Sequence, residues 1–283
     1  MTLQELRSIY INTLASLYDS SEATAIFEIC TEHILHTQRP PSLSVLTNEQ
    51  VVHLEHLLTE LRKGVPVQYV TGTAYFWDTF YKVSSATLIP RPETEELLFW
   101  LQQDTLIHPY TTPHILDIGT GTGCIAITAQ KILPDATVSA MDVSEAALAI
   151  TQHNAASQGV AIHTIHDNIL EPSPYMLQQK WDIIISNPPY ITVAEQATMH
   201  PNVLENEPHQ ALFVTNNDPQ QFYRAIAGYA QQNLHNQGTV YLELNALYAR
   251  ETATLWEDMG FSTQLRKDMQ GKDRMLKAWR ASS

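Results

Sequence analysis

Apolar residues along the first sixty positions recur every three or four residues: Leu3, Leu6, Ile9 and Tyr10; then Ala25, Ile26, Ile29 and Ile34; then Val51, Val52, Leu54, Leu57, Leu58 and Leu61. That period places them on one face of successive helices and predicts a small bundle of three or four elements. From Pro66 to Leu88 the pattern turns aromatic and β-branched (VQYV, YFWDTFYKV), with Gly72 and Asp78 at turn positions, which predicts a β-hairpin connector ending in Pro90-Arg91-Pro92. Beyond about Glu93, the short apolar runs HILDIG, TVSAMD, AIHTIH, WDIIISN and TVYLELN are interspersed with helical patterns. Alternation of this kind predicts an α/β fold with a doubly wound, mostly parallel sheet. The closing text, TQLRKDM and RMLKAWR around QGKD, predicts two strands joined by a tight turn. The expected division is a helical domain over residues 1–65, a hairpin linker over 66–92 and a sheet domain over 93–283.

Composition narrows the partners. Sixteen Lys and Arg against thirty Asp and Glu leave a net charge of −14, which would repel a phosphate backbone, so no direct nucleic-acid binding is expected. The two cysteines, Cys30 and Cys124, have neither disulfide-framework nor zinc spacing and fit a reducing cytoplasm. No apolar run approaches the ~18 residues of a membrane span, and the N-terminus lacks the apolar core of a signal peptide; a soluble, cytoplasmic chain without membrane contact is expected.

Candidate chemistry begins at the first strand–helix junction, Asp117-Ile118-Gly119-Thr120-Gly121-Thr122-Gly123. Alternating glycines let the backbone turn sharply and leave no Cβ in the way of a ligand across the strand end. Asp142 ends the next apolar run, about 20 residues on, where an acid can accept both ribose hydroxyls; Ser144 beside it is a plausible helix cap. Asp167 and Asn168 follow a third strand and could reach an adenine edge or simply form a turn. Asn187-Pro188-Pro189-Tyr190 follows WDIIIS: the prolines remove two donors and fix two φ angles, so outward carbonyls stay put. A planar NH₂ group can donate to the Asn187 side-chain oxygen and the Pro188 carbonyl while Tyr190 packs on its face.

Together, DIGTGTGCIAI, MDVS and SNPPYI resemble the class I methyltransferases that use S-adenosylmethionine to alkylate a planar amino nitrogen. PVQYVTG, Phe76 and TLIPRPETEELL narrow the resemblance to the family that methylates the N5 amide of glutamine in peptide chain release factors. Glu205-Asn206-Glu207-Pro208 with Ala211-Leu212, and Asp268 to Arg274, follow the same pattern, so it covers almost the whole chain. NPPY is shared with adenine and ribosomal-protein methyltransferases, and PRPETE discriminates.

The resemblance implies a Rossmann-like, seven-stranded, mostly parallel sheet behind a helical substrate-recognition domain. It implies S-adenosylmethionine along Gly119, Thr120, Gly121, Thr122 and Gly123, with the ribose on Asp142, the adenine near Asn168, and Asn187 close by. The substrate amide falls to Asn187, Pro188, Pro189 and Tyr190, with Arg91 and Glu93 of PRPETE near the pocket and Asn187, Pro188 and Tyr190 carrying the chemistry. The substrate implied is the glutamine of the GGQ motif of class I release factors, and the product S-adenosylhomocysteine; a ribosomal-protein glutamine or a nucleic-acid adenine is the alternative acceptor. Where the family has an acid and then a glycine, this chain has Glu243-Leu244-Asn245-Ala246, which predicts a less permissive backbone. Glu93, Glu95 and Glu96 read as acids favoured by a helix dipole. The pairs His33/His36 and His53/His56 lack a third ligand and read as solvated, and Tyr75, Phe76, Trp77, Phe80 and Tyr81 are assigned to an interdomain core.

Overall fold

The computed structural model describes residues 1–37, 41, 43–215 and 217–280. The chain divides into two compact units, Met1–Thr73 with Met199–Asn206, and Ala74–Thr198 with Glu207–Ser283.

In the first unit the expected helices are α1 (Leu3–Leu14), α2 (Ser20–Leu35) and α3 (Asn48–Leu61). Each starts where a side chain satisfies an otherwise orphaned N–H: Thr2 and Thr47 form capping boxes with Glu5 and Gln50, and Asp19 accepts from Ser21 and Glu22. Leu6, Tyr10, Leu14, Phe27, Leu54 and Leu61 fill the interior, where the Tyr10 hydroxyl donates to the Leu54 carbonyl at 2.5 Å. One expectation is corrected: VQYV lies in a short helix, α4 (Val67–Thr71), not in the hairpin. Pro66 at its N-cap and Gly72 at φ +71 after its last residue punctuate the segment as a helix, and these local signals override β-propensity. The unit also takes in the distant short helix Pro201–Asn206, whose Asn202 donates to the Tyr18 hydroxyl and whose Asn206 donates to the Gly64 carbonyl at 3.1 Å.

At the start of the second unit, β1 (Thr73–Phe76) and β2 (Thr79–Lys82) are joined by Trp77 and Asp78, both at positive φ as a two-residue type I′ hairpin requires. Phe76 and Tyr81 are buried in that unit's core, but Tyr75 and Phe80 are 59% and 60% exposed. The expected interdomain core of five aromatics is therefore corrected: neighbouring strand residues face opposite sides, and only one set is covered.

There follow α5 (Pro92–Ile107), β3 (His114–Ile118), α6 (Cys124–Ile132), β4 (Thr137–Asp142), α7 (Glu145–Ser157), β5 (His163–His166) and β6 (Trp181–Ser186). Then come α8 (Gln221–Asn233), β7 (Leu234–Glu243), α9 (Ala249–Asp258), β8 (Phe261–Lys267) and β9 (Asp273–Arg280). Seven strands form one sheet in the order β8-β9-β7-β6-β3-β4-β5. β9 runs antiparallel to both β8 and β7, and the remaining neighbours pair parallel. Its strands are apolar on both faces because helices cover both. Ile115, Ile183, Ile185 and Tyr241 pack with Leu97, Leu98 and Ile125 of α5 and α6, whereas Leu116, Ile184, Val240 and Leu242 pack with Tyr223 and Ile226 of α8 and Trp256 of α9. The chain winds from β3 through β4 to β5 and then returns to β6 on the other side of β3. That reversal opens a crevice at the carboxyl ends of β3 and β6. Among the described residues, no helix is long and apolar enough to cross a membrane.

Candidate active site

Strand register assembles the site. Leu242, Ser186, Ile118 and Met141 are cross-strand partners on four adjacent strands, so the residues that follow them, Glu243, Asn187, Gly119 and Asp142, emerge side by side at the carboxyl edge. Gly119, Gly121 and Gly123 hold φ at +73, +55 and +80. A Cβ on Gly119 or Gly121 would meet nothing within 4 Å, so the space beside the loop is open to a ligand. At Gly123 it would come within 2.8 Å of Thr151 Cγ2, so the third glycine serves the packing of α6 on α7.

Asp142 is held by main-chain donors: Gly121 N–H donates to its Oδ2 and Ser144 N–H to its Oδ1, each at 2.9 Å. Ser144 itself caps α7 by accepting from Ala147 N–H, and burial pushes the Asp142 carboxyl above its ordinary range. Asp117, at the base of the loop, is fully buried. Its Oδ2 accepts from the Thr120 hydroxyl at 2.6 Å and from Ala126 N–H at 3.2 Å, but its Oδ1 has no hydrogen-bond partner, and burial pushes the carboxyl up to about 7. A buried carboxylate oxygen without a partner, next to an open glycine loop, suits a ligand that brings positive charge.

On the other side of the crevice, side chains do the holding. Asn187 Nδ2 donates to Thr94 Oγ1 at 3.2 Å, the Thr94 hydroxyl donates to Glu243 Oε2 at 2.6 Å, and the Tyr190 hydroxyl donates to Glu243 Oε1 at 2.9 Å. Burial raises the Glu243 carboxyl, opposed by these two hydroxyls and by the charge of Arg274. The Tyr190 carbonyl accepts from Asn245 Nδ2 at 3.0 Å. The non-glycine stretch after β7 asks nothing unusual of the backbone, since residues 243–246 are not among those with positive φ.

A cavity of about 410 Å³ joins the two sides. Of the residues singled out in the sequence, Arg91, Gly119, Thr120, Gly121, Thr122, Asp142, Asn168, Asn187, Pro188 and Pro189 line it. Gly123 and Tyr190 do not: Gly123 begins α6, and the Tyr190 ring packs against the sheet core with its hydroxyl on Glu243. Asn168 lines the cavity while its Oδ1 accepts from Leu170 N–H at 3.0 Å, and Asp167 accepts from Ser173, so this pair does form a turn. Arg91 pairs with the buried Glu207 at 2.5 Å, and Glu207 also accepts from Ile89 N–H. Glu95 and Glu96 accept from the main-chain N–H of Trp77 and Met269, and Glu93 faces Gln270. Thr94 lies within PRPETE and Glu243 at the family's acid position, but their meeting carried no signal in the sequence, because they stand 149 residues apart. Among the described residues, no three His, Cys, Asp or Glu gather as metal ligands.

The family model for the methyltransferase small domain matches residues 94–213. The release factor glutamine methyltransferase of Flavobacterium psychrophilum is 43% identical over 98% of this chain and 99% of its own, and that of Bacteroides thetaiotaomicron is 40% identical over 80% of each. A T. thermophilus 16S rRNA methyltransferase, solved with AdoMet and guanosine, shares the fold at a TM-score of 0.51 and 18% identity, covering 74% of this chain and 50% of that one. With one relative matched nearly end to end and another over 80% of each chain, the chain belongs to the release factor glutamine methyltransferase family.

Proposed function

We propose that this protein transfers a methyl group from S-adenosylmethionine to the side-chain amide nitrogen of the GGQ glutamine of class I peptide chain release factors, working in the cytoplasm. The observation that carries the reading is the placement of Asn187-Pro188-Pro189 across one cavity from Gly119–Thr122 and Asp142. The cofactor side fits: the glycine loop is open, Asp142 presents a carboxyl fixed by two N–H groups for the ribose, and Asn168 lies along the lining for the adenine. When bound, S-adenosylmethionine supplies a methyl group on a sulfonium.

The protein's own part is to present a poor nucleophile. An amide lone pair is delocalised into its carbonyl, and fixing both N–H bonds on the Asn187 oxygen and the Pro188 carbonyl aligns the nitrogen and disperses the positive charge that develops on it. No strong base is needed, since the methylated nitrogen is cationic and acidic and releases its proton to water. Pro189 stiffens the segment, Tyr190 anchors it through Glu243, and Arg91, held by Glu207, borders the acceptor side. The helical segment 1–65 is assigned to recognition of the protein substrate, 66–92 to linking, and 93–283 to cofactor binding and methyl transfer.

The test is purified protein with labelled S-adenosylmethionine and either release factor or total rRNA and tRNA as acceptor. Label is expected on the release-factor glutamine; label in RNA alone would overturn the reading in favour of an adenine methyltransferase, against which the net charge of −14 already argues.

A further inference from the structure

An amide's oxygen and nitrogen are distinguished by their partners, and the partners of Asn187 leave one choice. Thr94 sits in the first turn of α5 at 2% exposure and has a single hydroxyl hydrogen. Glu243, 1% exposed, faces that hydroxyl at 2.6 Å and the Tyr190 hydroxyl at 2.9 Å, one on each carboxylate oxygen. Each hydroxyl donates to a different oxygen of that carboxyl, so both hydroxyl hydrogens are committed to Glu243. Thr94 Oγ1 then has only lone pairs to offer Asn187, 3.2 Å away, and the arm of the amide that meets it must be the NH₂.

We infer that Thr94, set by Glu243, is a positioning residue that fixes the orientation of the Asn187 amide and so leaves Asn187 Oδ1 as the arm that accepts the substrate N–H. The inference rests on the reading of Asn187 as an acceptor of the substrate amide. Were the Asn187 side chain free to flip, half of its orientations would present two hydrogens to a substrate NH₂ that itself only donates. Burial pushes the Glu243 carboxyl up, and the two hydroxyls with the nearby Arg274 guanidinium oppose that rise.

Thr94→Val removes the hydroxyl at nearly constant volume. Single-turnover methylation should fall by about 10²-fold, the scale of a misaligned reacting group, with S-adenosylmethionine affinity and the KM for release factor little changed, and Thr94→Ser should restore most of the rate. Because Thr94 acts through Asn187, Thr94→Val combined with Asn187→Ala should be no slower than Asn187→Ala alone. A normal rate in Thr94→Val, or losses that multiply in the double variant, would overturn the inference. A normal rate in Asn187→Ala would instead sink the underlying reading of the clamp. Cofactor binding and melting temperature report folding, and should Thr94→Val unfold, Thr94→Ala is read by the same criteria.

Discussion

Two buried carboxylates flank the crevice and are satisfied in opposite ways. Asp117 draws its partners, Thr120 and Ala126, from the next nine residues, and keeps one oxygen without a hydrogen bond. Glu243 draws Thr94 and Tyr190 from 149 and 53 residues away and has both oxygens engaged. The glycine-loop side is a local device built mostly on main-chain donors, and it leaves one carboxyl oxygen without a hydrogen bond. The Asn187 side is a long-range device in which the Thr94 and Tyr190 hydroxyl hydrogens both end on Glu243.

The largest expected effect tests the Asn187 side: Asn187→Ala should lower single-turnover methyl transfer by about 10²–10³, as for loss of one preorganised polar partner, with kcat and kcat/KM falling together and cofactor affinity barely moving. A second experiment probes Asp117. Its ordinary value is 3.8 and burial raises it to about 7, so between those values the folded state holds a proton that the unfolded chain has released. Stability from this group is complete at low pH and is lost as pH rises toward 7, with a slope of at most about 1.4 kcal/mol per pH unit. Denaturant unfolding of Asp117→Asn from pH 4.5 to 7.5 should lack that slope; an identical slope would mean that the carboxyl is already ionised.

Asp142→Ala should weaken S-adenosylmethionine binding by roughly 1.5–3 kcal/mol in calorimetry, the range for a hydrogen bond to a charged group. Unchanged affinity in a folded variant would move the ribose elsewhere. Tyr190→Phe leaves one oxygen of Glu243 without its partner and so makes it resemble Asp117; thermal unfolding should register a loss of about 1–3 kcal/mol.

The same contrast explains what was legible in the sequence. The glycine loop, Asp142 and the NPPY segment each lie within a few residues of a strand end, so period and spacing reveal them, and strand register then brings them together. The terminal hairpin was equally plain, because two strand-like stretches flank the turn QGKD. Thr94 stood in PRPETE and Glu243 at an acid position followed by an unexpected leucine, but nothing local revealed that the two meet across 149 residues. VQYV misled because residue preference and punctuation disagree there, and Pro66 and Gly72 decided it. Tyr75 and Phe80 misled because aromatic character alone does not reveal which side of a two-stranded ribbon is covered.

The helix Pro201–Asn206 belongs to the first unit although its neighbours in sequence belong to the second. The backbone therefore passes between the units three times, at 73/74, 198/199 and 206/207. A cut after Thr73 would free a bundle missing Asn202 and Asn206, the donors to Tyr18 and Gly64, and would leave their helix stranded on the other fragment. Exchange of the first unit between relatives must accordingly carry two inserts in one step, and a chimera joined at a single seam inherits neither unit whole.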